Sequence, residues 1–188
     1  MNQVKYGSIH LIIGPMFAGK STELLRQIRR YFHKKKSTVV VAYELDDRYT
    51  NLERITTHDR IEYPAIKTGK LEDVKEKLLG YDVIGIDEGQ FYPDLNEVCE
   101  FLANNGKTVI VSALNGNFKR EPFEVISRLI SKCETIQNIT SVCYNCGDDN
   151  ANFTLRLTND QREVVIGGDD MYKPACRTCF LSANKVEQ

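Results

Sequence analysis

Short apolar runs alternate with amphipathic stretches through the first 140 residues. Ile9-His10-Leu11-Ile12-Ile13, Ser37-Thr38-Val39-Val40-Val41-Ala42-Tyr43, Asp82-Val83-Ile84-Gly85-Ile86 and Thr108-Val109-Ile110-Val111-Ser112-Ala113-Leu114 are nearly continuous apolar or β-branched segments. That is the pattern of strands buried on both faces of a parallel sheet. Between them, Ser21 to Ile28, Leu71 to Leu79, Pro93 to Asn105 and Pro122 to Ile130 read as helices. In the third of these, Leu95, Val98, Phe101 and Leu102 fall on one face together with Cys99, and Gly106 supplies the stop. Strands alternating with helices predict an α/β fold, a mostly parallel sheet flanked by helices on both faces. Residues 44 to 70 are polar and irregular, with Asp46, Asp47, Arg48, His58, Asp59 and Arg60, and read as a long functional loop.

From Ser141 onward the texture changes. Two cysteine pairs bracket a segment holding the strand-like Glu163-Val164-Val165-Ile166 and then Gly167-Gly168. The expected organisation is a nucleotide-binding domain over residues 1–140 and a small C-terminal metal-tied lobe over 141–188.

A chain of 188 residues is long enough for one sizeable core and a small appendage. Its 25 basic and 26 acidic residues nearly cancel, so nothing steers it onto nucleic acid or an anionic membrane, and a small substrate is expected. No apolar stretch approaches the roughly 18 residues of a spanning helix. The start, Met1-Asn2-Gln3-Val4-Lys5-Tyr6, lacks the apolar block of a secretion signal. A cytoplasmic protein is expected. In that reducing setting the six cysteines read as metal ligands or buried small apolar residues, not disulfides.

Gly14-Pro15-Met16-Phe17-Ala18-Gly19-Lys20-Ser21 fits the pattern G-x-x-x-x-G-K-[ST] at every fixed position. It lies between a predicted strand and a predicted helix, the setting this phosphate cradle needs. The glycines let backbone N–H groups turn inward around phosphates, Lys20 reaches the β/γ oxygens, and the Ser21 hydroxyl ligates Mg²⁺. The strand Val83 to Ile86 runs into Asp87-Glu88. Mg²⁺ must be held from a second side, which assigns Asp87. Neighbouring strand residues point oppositely, so Glu88 is free for a second task, general base toward an attacking hydroxyl. The alternative for Glu88, on residue pattern alone, is a surface acid on a loop.

Cys143-Tyr144-Asn145-Cys146 and Cys176-Arg177-Thr178-Cys179 are two C-x-x-C pairs. Four thiolates close a tetrahedral Zn²⁺ site with no open position, so the metal is structural. Either pair alone would also fit a redox couple. Cys133 has no partner at ligand spacing and reads as core.

With these residues in hand, the chain resembles the zinc-containing thymidine kinases of the cellular and poxviral type. The likeness is carried by residues 14 to 21, Asp46-Asp47-Arg48-Tyr49, Asp87-Glu88-Gly89-Gln90-Phe91, Leu114-Asn115-Gly116-Asn117-Phe118-Lys119-Arg120 and Ile166-Gly167-Gly168-Asp169-Asp170-Met171-Tyr172, in that order. The resemblance implies a P-loop fold and transfer of the γ-phosphoryl group of ATP to the 5′-hydroxyl of thymidine and deoxyuridine. It implies that Gly14 through Ser21, Asp46, Asp47, Arg48, Asp87, Glu88, Gly89 and Gln90 surround the triphosphate. Glu88 would be the base, with Lys20 and Arg48 stabilising transferring charge. Glu163, Val164, Val165, Ile166 and Gly167 correspond to a lasso over the nucleoside, with Met16, Phe118, Thr154 and Tyr172 around the base. The resemblance further implies a homotetramer and feedback inhibition by thymidine triphosphate.

Two positions depart from the family pattern: Asn115 stands where Asp is common, and Tyr92 where Phe is frequent. A non-catalytic nucleotide-sensing module would use the same P-loop and cysteine lobe. Intact Lys20, Ser21, Asp87 and Glu88 argue for the kinase.

Overall fold

The computed structural model describes residues 6–44, 54–56, 62–158, 162 and 168–184. Among these, the strands β1 (Ser8–Gly14), β2 (Thr38–Tyr43), β3 (Arg54–Thr56), β4 (Glu62–Thr68), β5 (Val83–Ile86), β6 (Thr108–Leu114) and β7 (Thr135–Asn138) form one sheet in the order β3-β4-β2-β5-β6-β1-β7. All neighbours pair in parallel except β3 with β4. The helices are α1 (Lys20–His33), the single turn α2 (Lys75–Leu78), α3 (Leu95–Asn104), α4 (Glu124–Ile130) and α5 (Arg177–Asn184).

The two-residue period of each strand sorts its side chains between two apolar layers. Ile12, Val40, Ala42, Val83 and Ile110 pack on one face with Leu24, Leu25 and Ile28 of α1. Leu11, Val39, Val41, Ile84, Ile86, Val109 and Val111 pack on the other with Leu95, Val98, Cys99 and Leu102 of α3, and Ile126 and Leu129 of α4. Gly85 brings α1 close: a Cβ there would lie 3.2 Å from Ile28 Cδ1 and 3.3 Å from Leu24 Cδ1. The helix that begins at the phosphate loop is therefore seated directly on the central strands.

The expected parallel sheet with helices on both faces is borne out. The expected loop over 44 to 70 is corrected, because β3 and β4 lie within it and β4 extends the sheet beside β2. Two helices are shorter than their apolar patterns suggest: α3 starts at Leu95, after Pro93, and α4 at Glu124, after Pro122. The Leu71 to Leu79 stretch splits into a 3-10 turn, Leu71–Val74, and α2. Cys99 is fully buried, and Cys133 is half-buried against the same core.

Beyond β7, a second sheet pairs β8 (Phe153–Arg156) antiparallel with β9 (Tyr172–Ala175), and α5 follows. No helix among the described residues is long and apolar enough to cross a membrane.

Candidate active site

The loop from β1 to α1 passes through two residues in the left-handed region, Phe17 at φ 64° and Gly19 at φ 80°. Such residues aim backbone N–H groups into a shared concavity that suits an anion. Helix α1 starts at once, adding the positive dipole end of its first turn. Lys20 is buried, and its Nζ donates a 2.7 Å hydrogen bond to the Pro15 carbonyl, curling the ammonium over its own loop.

At the carboxyl end of β5, buried Asp87 receives two hydroxyl donors. Ser21 Oγ donates to Oδ2 at 2.8 Å, and Ser112 Oγ donates to Oδ1. Burial, and then the charge of Glu88, push the Asp87 carboxyl up to about 6, against the opposing pull of Ser112, Ser21 and the Lys20 charge. Glu88 sits at φ 54°, a left-handed conformation that costs a non-glycine residue roughly 1 to 3 kcal/mol. Its Oε2 accepts from Gln90 Nε2 at 2.5 Å, while Gln90 Oε1 accepts from the Leu114 amide at 3.1 Å. Gln90 thus fixes Glu88 relative to the end of β6. Gly89 permits this turn, since a Cβ there would fall 2.6 Å from Val111 Cγ1.

The β8–β9 hairpin reaches the phosphate loop through Thr154, whose buried Oγ1 accepts from the Met16 amide at 3.0 Å. Ser141 Oγ donates to the Phe17 carbonyl at 3.1 Å, and Asn115 Nδ2 donates to the Asn152 carbonyl at 3.0 Å. Phe118 and Tyr172 meet through a third residue. The Arg156 guanidinium lies 3.6 Å from the Phe118 ring centroid and donates to Tyr172 Oη at 2.7 Å. The Sγ atoms of Cys143, Cys146, Cys176 and Cys179 all lie within 4.8 Å of one another.

A family model described as thymidine kinase matches residues 7–180, nearly all of the chain. The chain belongs to the thymidine kinase family. The thymidine kinase of raccoon poxvirus is 46% identical over 176 residues, covering 94% of this chain and 98% of that protein. Those of vaccinia virus, strain Western Reserve, and of variola virus are each 46% identical over 177 residues, with the same coverage. Among solved structures, the flagellar accessory protein FlaH of Methanocaldococcus jannaschii shares the fold. Its TM-score is 0.52 at 16% identity, over 77% of this chain and 76% of that one.

The oxygens of this thymidine kinase suit a small hard cation. Adjacent ligands of an octahedral Mg²⁺ lie about 3.0 Å apart for metal–oxygen bonds of about 2.1 Å, and Ser21 Oγ and Asp87 Oδ2 stand 2.8 Å apart. The sulfurs likewise suit Zn²⁺. A tetrahedron with Zn–S of about 2.3 Å has edges of about 3.8 Å, and Cys146 Sγ and Cys176 Sγ are 3.7 Å apart. Although burial opposes ionisation, the backbone N–H groups of Cys176, Cys146 and Asn145 hold the Cys143 thiol down at about 6. Asn145 Nδ2 also donates to Cys179 Sγ at 3.3 Å.

The structure gathers Lys20, Ser21, Asp87, Glu88 and Gln90 at the carboxyl ends of β1, β5 and β6, where open α/β sheets bind ligands. Asp46, Asp47 and Arg48, and the segment from Glu163 to Gly167, lie outside the described residues. Sequence reasoning missed two contributors. Ser112 was open to discovery as a hydroxyl flanked by Val111 and Ala113 in an apolar strand. Arg156 carried no signal, because a cation in a short alternating strand ordinarily faces water.

Proposed function

We propose that this thymidine kinase transfers the γ-phosphoryl group of ATP to the 5′-hydroxyl of thymidine and of deoxyuridine. The observation that carries the reading is the Ser21–Asp87 hydrogen bond beside buried Lys20, which joins both halves of a phosphate-and-cation site at the end of the sheet. In this reading the loop from Gly14 to Gly19 and the first turn of α1 bind the phosphates through backbone N–H groups. Lys20 exchanges the Pro15 carbonyl for phosphate oxygens. Ser21 and Asp87 would hold Mg²⁺, which supplies charge neutralisation on the β- and γ-oxygens when bound. Glu88 accepts the proton of the 5′-hydroxyl as that oxygen attacks phosphorus and the bond to the β-phosphate oxygen breaks. The Gln90 contact and the left-handed backbone support this role by restricting where the Glu88 carboxylate points.

The resemblance supports the remaining assignments. Asp46, Asp47 and Arg48 attend the triphosphate, Arg48 by stabilising the transferring charge, and residues 163–167 pair with the base edge through their backbone. Met16, Phe118, Thr154 and Tyr172 line the base pocket. A tight pocket of this kind admits a pyrimidine and excludes a purine. The cysteine lobe holds structural Zn²⁺ and makes residues 141–188 a unit set on the 1–140 domain. We assign the enzyme to the cytoplasm as a homotetramer inhibited by thymidine triphosphate.

Incubation with Mg-ATP and thymidine, deoxyuridine, deoxycytidine or deoxyguanosine tests this. Monophosphate from thymidine and deoxyuridine alone is expected. No product from any of them, with ATP still bound, would favour a nucleotide sensor.

A further inference from the structure

Arg156 is a long cation that is only 9% exposed. Taking a guanidinium out of water costs several kcal/mol unless its donors and its charge are met. Here three different parts of the chain contact two of its nitrogens and its face. Nη1 donates to the Arg162 carbonyl at 2.5 Å, Nη2 donates to Tyr172 Oη at 2.7 Å, and the guanidinium carbon lies 3.6 Å from the Phe118 ring centroid. Phe118 stands on the turn after β6, Tyr172 opens β9, and Arg162 directly precedes the 163–167 segment in the chain.

We propose that Arg156 is the positioning residue of the nucleoside pocket, its planar guanidinium setting the Phe118 ring and the Tyr172 phenol in the relative geometry that receives the base. This rests on the reading of Phe118 and Tyr172 as pocket residues given above. A cation within about 6 Å of a ring face is attracted by the ring quadrupole, more strongly when desolvated, and Arg adds a flat surface that stacks. The same plane carries donors in a fixed fork, so ring and phenol are held by one rigid object. An ammonium could supply the charge but neither the stacking plane nor the forked donors. Phe118 is half-buried and comes from the sheet domain, whereas Tyr172 belongs to the cysteine lobe. Arg156 therefore fixes one wall of the pocket relative to the other. It is placed to act through these two residues, not on the reacting atoms.

The test is steady-state kinetics on full-length wild type, Arg156→Lys, Tyr172→Phe and the double variant, varying thymidine and ATP separately. Arg156→Lys should raise KM for thymidine about tenfold, while KM for ATP and kcat stay within about twofold. Tyr172→Phe, which deletes one hydroxyl at constant volume, should raise the thymidine KM about threefold. The two effects should be less than additive in the double variant, because each breaks the same contact. Equal rises in both KM values, or an unchanged thymidine KM in the variants, would overturn the positioning role. If Arg156→Lys fails to fold, Tyr172→Phe decides alone: an unchanged thymidine KM overturns the proposal and a selective rise sustains it. Wild-type protein that phosphorylates no nucleoside would instead overturn the pocket reading on which this rests.

Discussion

Ser21 Oγ and Asp87 Oδ2 are 2.8 Å apart, which ties the first turn of α1 to the end of β5 across 66 positions of sequence. With Ser112 as second donor, Asp87 is a buried carboxylate supplied by two hydroxyls and, among the described residues, no directly bonded cation. Such an acid is favourable for metal binding and unfavourable for the metal-free fold.

Asp87→Asn should separate these effects. The amide oxygen still accepts from Ser21, so thermal denaturation at pH 8 without nucleotide should find the variant at least as stable as wild type. Turnover should fall by more than about 100-fold, since a neutral amide is a poor Mg²⁺ ligand. A variant with both stability and activity intact would remove Asp87 from the site.

The raised Asp87 carboxyl also predicts a pH dependence. Its folded value, about 6, lies above the ordinary 3.8, so the folded protein binds this proton more tightly than the unfolded chain does. The resulting stabilisation is complete below the ordinary value and is lost as pH rises through about 6. If Asp87 holds Mg²⁺ as proposed, Mg-ATP binding draws on the ionised form and should show the opposite trend. Calorimetric titration should find affinity rising between about pH 5 and pH 7, with proton release on binding at the lower end.

Glu88→Gln preserves the acceptor oxygen that Gln90 holds, and removes the proposed base. It should lower kcat by roughly 10²- to 10⁴-fold with ATP affinity nearly unchanged. Weakened ATP binding at normal kcat would assign Glu88 to the nucleotide instead.

Removing metal from the cysteine lobe should be felt at the phosphate loop. Structural Zn²⁺ contributes about 10 to 16 kcal/mol of coupled folding energy in small peptide modules, and the β8–β9 hairpin between the two cysteine pairs supplies Thr154 to the Met16 amide. Complete chelation should open residues 141–184 to protease and weaken thymidine binding. Unchanged protease resistance in metal-free protein would mean that the hairpin is held by its contacts alone.

Much of this architecture could be read beforehand, for identifiable reasons. The apolar runs of β1, β2, β5 and β6 occupy the middle of the sheet, where both faces are covered, so burial wrote itself into composition. Strand β4 did not show because Pro64 interrupts it and charged residues surround it, and a proline argues against a strand interior. Strand β7, Thr-Ile-Gln-Asn, is exposed throughout at the sheet edge and carries no alternation. The phosphate loop and the cysteines were plain because their chemistry fixes residue type and spacing together. The Asp87–Ser112 and Arg156–Phe118 contacts were not, since they join residues whose separation obeys no period.

One departure from the family pattern carries its own stability forecast. Tyr92 is fully buried against Tyr43, and its hydroxyl finds no hydrogen-bond partner among the described residues. Burial raises its pKa, so the phenol stays neutral. An unsatisfied buried hydroxyl costs about 1 to 3 kcal/mol. Tyr92→Phe should therefore leave urea-unfolding stability unchanged or raise it by about 1 kcal/mol. A clear loss would indicate that the hydroxyl has a partner outside the described residues.

The bond between the Met16 amide and Thr154 Oγ1 has an asymmetric genetic footprint. Its donor belongs to the peptide backbone, which every residue except proline provides, whereas its acceptor exists only if the side chain at position 154 carries an acceptor oxygen. Mutational drift at 16, proline aside, is thus invisible to this contact, and the sequence constraint of this bond falls on the single codon at position 154.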